Sequence, residues 1–251
     1  MTPRWPRILN YHAIVHLEND PNRTGVSPDL FASHMRALKR RNMRGVSVRE
    51  LLRARNAGDS RGLVGLTFDD GYGDFLHTAL PILEEHGFSA TLFIVAGMLG
   101  KENDWEHWYH PRPKLKLLEP ADLRVIVERS VEIGSHGMSH PELPELDRES
   151  LEGEVSDSRR LLGEMLGEAV EGFAYPYGIL DETSIRAVRK AGYAYACAVN
   201  TRVEQSLYDL PRIPISEVDN PLRFAAKLRI HSHYRAVKEL YLRALGKTER
   251  V

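Results

Sequence analysis

The chain has a single cysteine, Cys197, among its 251 residues. No internal disulfide is possible, so nothing in the sequence requires an oxidising compartment. No apolar run reaches the roughly 18 residues that a membrane-spanning helix needs, so no span is predicted. Net charge is nearly absent, with 34 basic against 35 acidic side chains. A nucleic-acid groove or a footprint for an acidic membrane would need a basic surplus, and neither is expected. Internal repeats and low-complexity linkers are also missing. The opening residues, MTPRWPRILNYH, contain no apolar h-region. As it stands the sequence reads as cytoplasmic, and as exported if its N-terminus had been trimmed.

What is present is an alternation of short β-rich runs with helical periods. The length suits one sizeable core, and the expected organisation is a single domain over 1–251 with a terminal helix at about 222–245. Strands are expected at 8–12, 63–68, 90–95, 131–134, 172–175, 194–199 and 212–216. Helices are expected at 28–41, 48–55, 73–86, 121–129, 148–166 and 181–191. Ser27 is the N-cap of the first, with Pro28 at its first position. Within 148–166 the stripe Leu151, Val155, Leu161, Leu162 and Met165 reads as core. This order predicts an α/β fold, a (β/α) barrel of about seven parallel strands rather than an open sheet.

In such a barrel, chemistry collects at the C-terminal ends of the strands. "GLTFDDGYGD" sets Asp69 and Asp70 at one such end, followed by Gly71, which can adopt backbone conformations closed to other residues. By itself, Asp-Asp-Gly is a common surface turn. A second strand end, "IGSHGMSH", carries His136 and His140. Two imidazoles four residues apart can share a cation, although such a pair in a polar loop is often simply solvated. Together with one aspartate they would make three protein ligands and leave a position open, the pattern of a catalytic metal. The cation would neutralise that carboxylate and leave its neighbour to accept a proton. Either aspartate could take either part. A third strand end, "GFAYPYG", offers Tyr175, Pro176 and Tyr177 as a rigid aromatic rim, or as a plain turn. The first strand ends at His12, a candidate acid. Trp105, Trp108 and Tyr109 lie in the loop 97–113, where they would either stack on sugar rings or anchor the loop to the core.

"TFDDG" (67–71), "SHGMSH" (135–140) and "FAYPYG" (173–178) occur in an order and at separations that resemble the NodB-homology polysaccharide deacetylases, carbohydrate esterase family 4. The resemblance covers most of the chain, roughly 8–199. It implies a distorted (β/α) barrel and metal-dependent removal of acetyl groups, most often N-acetyl, from an acetylated amino sugar or glycan. It makes Asp69 the catalytic base. Asp70, His136 and His140 become ligands of a divalent metal, usually Zn2+. "NYH" (10–12) and the stretch from Phe31 to Leu52 are similar to the circularly permuted branch that includes poly-N-acetylglucosamine deacetylases, which points to His12 as the acid.

The sequence departs from the family pattern in three places. The arginine that often orients the base is replaced by Ala174. Arg212, in "LPRIPI", is a possible substitute, but a strand beginning at 212 would put it at the wrong end of the barrel. The serine or threonine that often follows the first metal histidine is Gly137. No late leucine-histidine motif is evident, and His231 and His233, two apart in a charged helix, read as surface residues. Tyr177 also lies where a backbone N–H would meet the reaction's oxyanion. Two other readings compete: a non-catalytic carbohydrate-binding relative, and a metal hydrolase of phosphate esters or non-sugar amides. The second would call for a basic cluster near the motifs, and none is there.

Overall fold

The computed structural model describes residues 6–18, 20–105, 113–199 and 206–229. Strands β1 (Ile8–Tyr11), β2 (Arg44–Val46), β3 (Leu63–Phe68), β4 (Thr91–Ile94), β5 (Glu132–Ser135), β6 (Gly172–Ala174), β7 (Tyr195–Ala198), β8 (Leu210–Pro211) and β9 (Ile213–Pro214) form one sheet. Every paired strand is parallel. Helices α1 (Pro28–Lys39), α2 (Val48–Asn56), α3 (Leu80–Glu85), α4 (Pro120–Glu128), α5 (Arg148–Leu166) and α6 (Glu182–Lys190) connect them. The helix expected from 73 onward enters α3 through a wider turn at Phe75–Ala79. Residues 221–229 are helical, and the rest of the expected terminal helix, with His231 and His233, lies outside the described residues.

The sheet runs β8-β7-β6-β5-β4-β3-β1-β9. Its two ends are halves of one stretch, residues 210–214. Leu210 and Pro211 pair with Cys197 and Ala198 of β7, while Ile213 and Pro214 pair with Leu9 and Asn10 of β1. The sheet therefore closes into a barrel of seven staves, as expected. The seventh stave differs from the expected strand, for it begins at Leu210 and changes partner at Arg212. Two prolines made that start hard to read, since proline cannot donate to a ladder. The donors here are the neighbours of those prolines: Arg212 N–H bonds Ala198 O, and Ile215 N–H bonds Asn10 O.

One strand was not anticipated. β2 pairs with the first half of β3, Arg44↔Leu63 to Val46↔Gly65, and β4 takes over at Thr67 and Phe68. Its three residues, Arg-Gly-Val, carry too little pattern to read. This shared edge makes the barrel distorted.

Alternation of side chains splits the core into two layers. Leu9, Tyr11, Leu66, Phe68, Leu92, Ile94, Phe173 and Ala196 face outward into the cluster that packs the helices. Ile8, Phe93, Ala174, Tyr195 and Cys197 face inward. The outer layer also takes Leu151, Val155 and Leu162 of α5, with Leu161 and Met165 packed against it. α5 spans the expected residues because its ends are well signalled: Asp147 accepts from Ser150 N–H, and Gly167 closes the helix at φ 72°. Ser27 occupies the N-cap of α1, but its hydroxyl donates to Glu217 instead of capping the helix.

Candidate active site

Asp69 and Asp70 follow β3, His136 follows β5, and His12 follows β1, so all four sit at the C-terminal rim. The turn after β3 is left-handed at both Asp70 (φ 75°) and Gly71 (φ 76°). That geometry defeats strict alternation and lets both carboxylates address one site. His140 and Tyr177 are also left-handed, at φ 66° and 58°. Non-glycine residues held in this region typically cost about 1–3 kcal/mol each, and they cluster where function over-determines the backbone.

The adjacent carboxylates differ in their hydrogen-bond partners, although His136 Nε2 lies near both, 4.0 Å from Asp69 Oδ2 and 3.5 Å from Asp70 Oδ1. Asp69 receives two parallel bonds from Arg212, Nη1 to Oδ1 at 2.6 Å and Nη2 to Oδ2 at 2.8 Å, and a third from Asn10 Nδ2 at 2.9 Å. Burial alone would raise its pKa, but the Arg212 guanidinium, with His136 and His12, holds it below the ordinary carboxylate value. Arg212 is itself buried, lies over the Phe93 ring and bonds Thr67 Oγ1. It thus reaches Asp69 from the middle of its stave and not from the far end.

Asp70 faces the imidazoles. Its Oδ1 lies 3.5 Å from His136 Nε2 and 3.3 Å from His140 Nε2, and one ligand atom from each of the three residues falls within 4.8 Å of the others. All three are buried. Burial raises the Asp70 carboxyl, but the facing imidazoles of His136 and His140 bring it well below its usual value. His136 Nδ1 is 2.7 Å from the carbonyl of Ala174. A carbonyl can only accept, so Nδ1 carries the proton and Nε2 offers its lone pair to the cluster. The donor set, two imidazole nitrogens and one carboxylate oxygen, fits a divalent cation such as Zn2+.

His12 also approaches Asp69, its Nε2 4.0 Å from Oδ2, with a side chain 24 % exposed. The Tyr177 ring meets His140 edge-on at 4.4 Å between centroids, and Trp105 lies 5.0 Å from the same ring. Both are partly exposed, while Trp108 and Tyr109 lie outside the described residues. The expected rim is otherwise corrected. Tyr175 shares its outward parity with Phe173, is fully buried, and donates its hydroxyl to Tyr208 O, so it does not reach the opening. Pro176 is buried as well, which leaves Tyr177 as the exposed member of the three.

Sequence reading gave no role to Asn10, Thr67, Asp74 or Glu154. The first two stand inside quoted motifs, and their inward parity on β1 and β3 was the signal available. Asp74 accepts from Ile14 N–H at 2.6 Å and so ties the turn after β3 to the segment after His12. Burial pushes its carboxyl up to about 6, against the opposing effect of that hydrogen bond. Its folded value exceeds the unfolded value near 3.9, so the folded chain binds more protons and stability falls as pH rises from about 4 to 6. At about 1.4 kcal/mol per pH unit, the penalty near neutrality is about 3 kcal/mol. Asp74→Asn keeps an acceptor for Ile14 and removes the titration. Urea unfolding is expected to show the variant more stable than the wild type at pH 8, with the gain vanishing at pH 4. An equal gain at both would contradict the burial argument.

Residues 56–196 match the family model described as polysaccharide deacetylase. A Bacillus subtilis protein named for a polysaccharide deacetylase, YxkH, is 27 % identical over 214 residues, 83 % of this chain and 71 % of the relative. The poly-beta-1,6-N-acetyl-D-glucosamine N-deacetylase of Staphylococcus aureus is 24 % identical over 205 residues, 76 % of this chain and 68 % of the relative. Among solved structures, the Streptococcus pyogenes deacetylase PplD in complex with acetate superposes with a TM-score of 0.74 at 25 % identity, covering 90 % of this chain and 98 % of that one.

Proposed function

Because this chain belongs to the polysaccharide deacetylase family, we propose that it is a metal-dependent hydrolase that removes N-acetyl groups from an amino-sugar glycan. The observation that carries the reading is the junction of two units in one buried cluster. One unit is the Asp70–His136–His140 donor set, within 4.8 Å. The other is the adjoining Asp69 carboxylate, gripped by Arg212. The activity named for the Staphylococcus aureus relative supports an N-acetylglucosamine polymer as substrate.

Asp70, His136 and His140 would hold the cation. A Zn2+ ion in such a set polarises an acyl carbonyl and lowers the pKa of a bound water toward about 7. Asp69 takes a proton from the attacking water. Arg212 keeps that carboxylate ionised and aimed, because both of its oxygens are already fixed. The backbone at Tyr177 meets the developing oxyanion. His12 gives a proton to the amine nitrogen as the acyl C–N bond breaks, so that the acetyl group departs as acetate carrying the water's oxygen and the sugar keeps a free amine. Tyr177 and Trp105 supply aromatic faces beside the cluster for a sugar ring.

The test is acetate release from a β-1,6-linked N-acetylglucosamine oligomer, with a chelator and with Zn2+ restored. Activity is expected to vanish with the chelator and return with the metal. Asp70→Ala and His136→Ala are expected to lose both metal and turnover. Burial lowers the His136 pKa, but Asp69 and Asp70 outweigh it and raise the value. A proton therefore competes with the cation, and calorimetry in buffers of different ionisation enthalpy should register proton release on Zn2+ binding. Metal uptake without acetate release from any acetylated glycan would leave a carbohydrate-binding relative in place of an enzyme.

A further inference from the structure

The two histidines stand on a loop that is neither helix nor strand, so something other than secondary structure must hold their spacing. Gly137 between them is left-handed at φ 83°. On one side the loop is bonded by backbone: Ala96 N–H donates to Gly137 O and Gly97 N–H to Met138 O, both at 2.9 Å. Approach there is close enough that a Cβ on Gly97 would stand 2.7 Å from Met138 O. Gly137 N–H donates to Ser135 Oγ at 3.2 Å, and the next two peptides converge on a single carboxylate. Glu154, on α5, accepts from Met138 N–H at 2.7 Å and from Ser139 N–H at 3.0 Å with Oε2, and from the Ser139 hydroxyl with Oε1. A Cβ on Gly137 would meet the same Oε2 at 3.0 Å, so the glycine also makes room for the clamp.

We propose that Glu154 is a positioning residue for the metal site: it presets the His136–His140 spacing by fixing peptides 138 and 139. The inference rests on the metal site proposed above. Three donors converge on one side chain, and only a carboxylate offers acceptors to all of them. Without it the two peptide N–H groups turn to water, and the loop must be ordered anew when a cation binds. Partners of this outer kind typically change metal affinity by about 10–100-fold. Glu154 compensates for Gly137, which stands where the family often has a bracing serine or threonine. Its anchorage is firm because α5 is also tied to the strand below, through Ser135 Oγ to Ser158 Oγ at 2.9 Å.

The experiment compares wild type, Glu154→Ala, Glu154→Gln and Ser139→Ala by Zn2+ titration calorimetry, thermal unfolding of the metal-free protein, and amide hydrogen exchange at Met138 and Ser139. Glu154→Ala is expected to weaken Zn2+ binding about tenfold or more and to expose both amides, while metal-free unfolding stays within a few degrees of wild type. Glu154→Gln retains one acceptor and should fall between the two. Ser139→Ala loses one bond and should change affinity only a few-fold. Zn2+ affinity within twofold of wild type in Glu154→Ala would overturn the proposal. So would an affinity loss matched by an equal loss of metal-free stability in both Glu154 variants. If wild type itself takes up no Zn2+, the metal reading fails instead. Amide exchange then judges the clamp alone, and unchanged protection in Glu154→Ala would overturn it.

Discussion

Asp69→Asn is expected to lower turnover by about 10²–10⁴-fold, the usual worth of a general base, while the protein still binds Zn2+. The amide cannot take a proton from water, yet Asp70, His136 and His140 are untouched. The substitution has a second consequence. Arg212 is wholly buried and both of its bonds to Asp69 end on carboxylate oxygens. Asparagine offers one oxygen and no charge. Breaking a buried pair by neutralising one partner typically costs about 3–5 kcal/mol, so the variant should unfold at lower urea. Pairing it with Arg212→Met should recover much of that stability and none of the activity. Steady-state acetate release, calorimetry and urea unfolding read the three quantities separately. Near-normal turnover in a folded Asp69→Asn protein would remove Asp69 from the role of base.

The second large effect is that of Arg212→Met. The guanidinium is the main influence lowering an Asp69 carboxyl that burial would otherwise raise. In wild type the folded pKa is depressed. The carboxylate therefore contributes stability that is present above about pH 4 and lost as pH falls through the depressed value. Without Arg212, burial is unopposed by its strongest partner and the pKa rises. The folded chain then holds the extra proton, and stability declines as pH rises. Two readouts follow. The acid limb of kcat/KM should move to higher pH than in wild type, because the free enzyme now carries a protonated Asp69 where it was ionised. Stability at pH 8 should drop by about 3–5 kcal/mol, with a smaller deficit at pH 5. An acid limb that stays in place would show that Arg212 does not set the charge of Asp69. Arg212→Lys is a useful companion, since it keeps the charge and loses the two-pronged grip.

These expectations rest on residues whose chemistry was legible to unequal degrees. The order of strands and helices was visible because each element carries a local period and local stop signals, as in α5 with Asp147 before it and Gly167 after it. The grouping of an aspartate with two histidines was visible because Asp69, Asp70 and His136 lie one or two residues beyond recognisable strands and His140 follows in the same short loop. The parallel barrel then had to bring those strand ends to the same face. Tyr175 was misplaced by treating "AYPYG" as a uniform rim, when the parity of β6 turns alternate residues to opposite sides. Glu154 was invisible. It is one of several glutamates on a long helix, and nothing in its neighbourhood along the chain marks it as the acceptor of the loop that leaves β5, 15 and 16 positions earlier.

The sequence by itself determined the inventory: two carboxylates at a glycine turn, a pair of imidazoles, a histidine after the first strand, and the alternation that brings them to one rim. Those features are local, set by periodicity and turn chemistry over a few residues. The residues alone left open which carboxylate does which job, and where the family resemblance assigned them the tertiary structure supplies the physical difference between the two. Arg212 meets Asp69 across 143 positions of chain, from a stave whose pairing changes sides at that residue. Such a contact depends on how the barrel closes, and closure is a property of the whole sheet, which no short window of residues encodes.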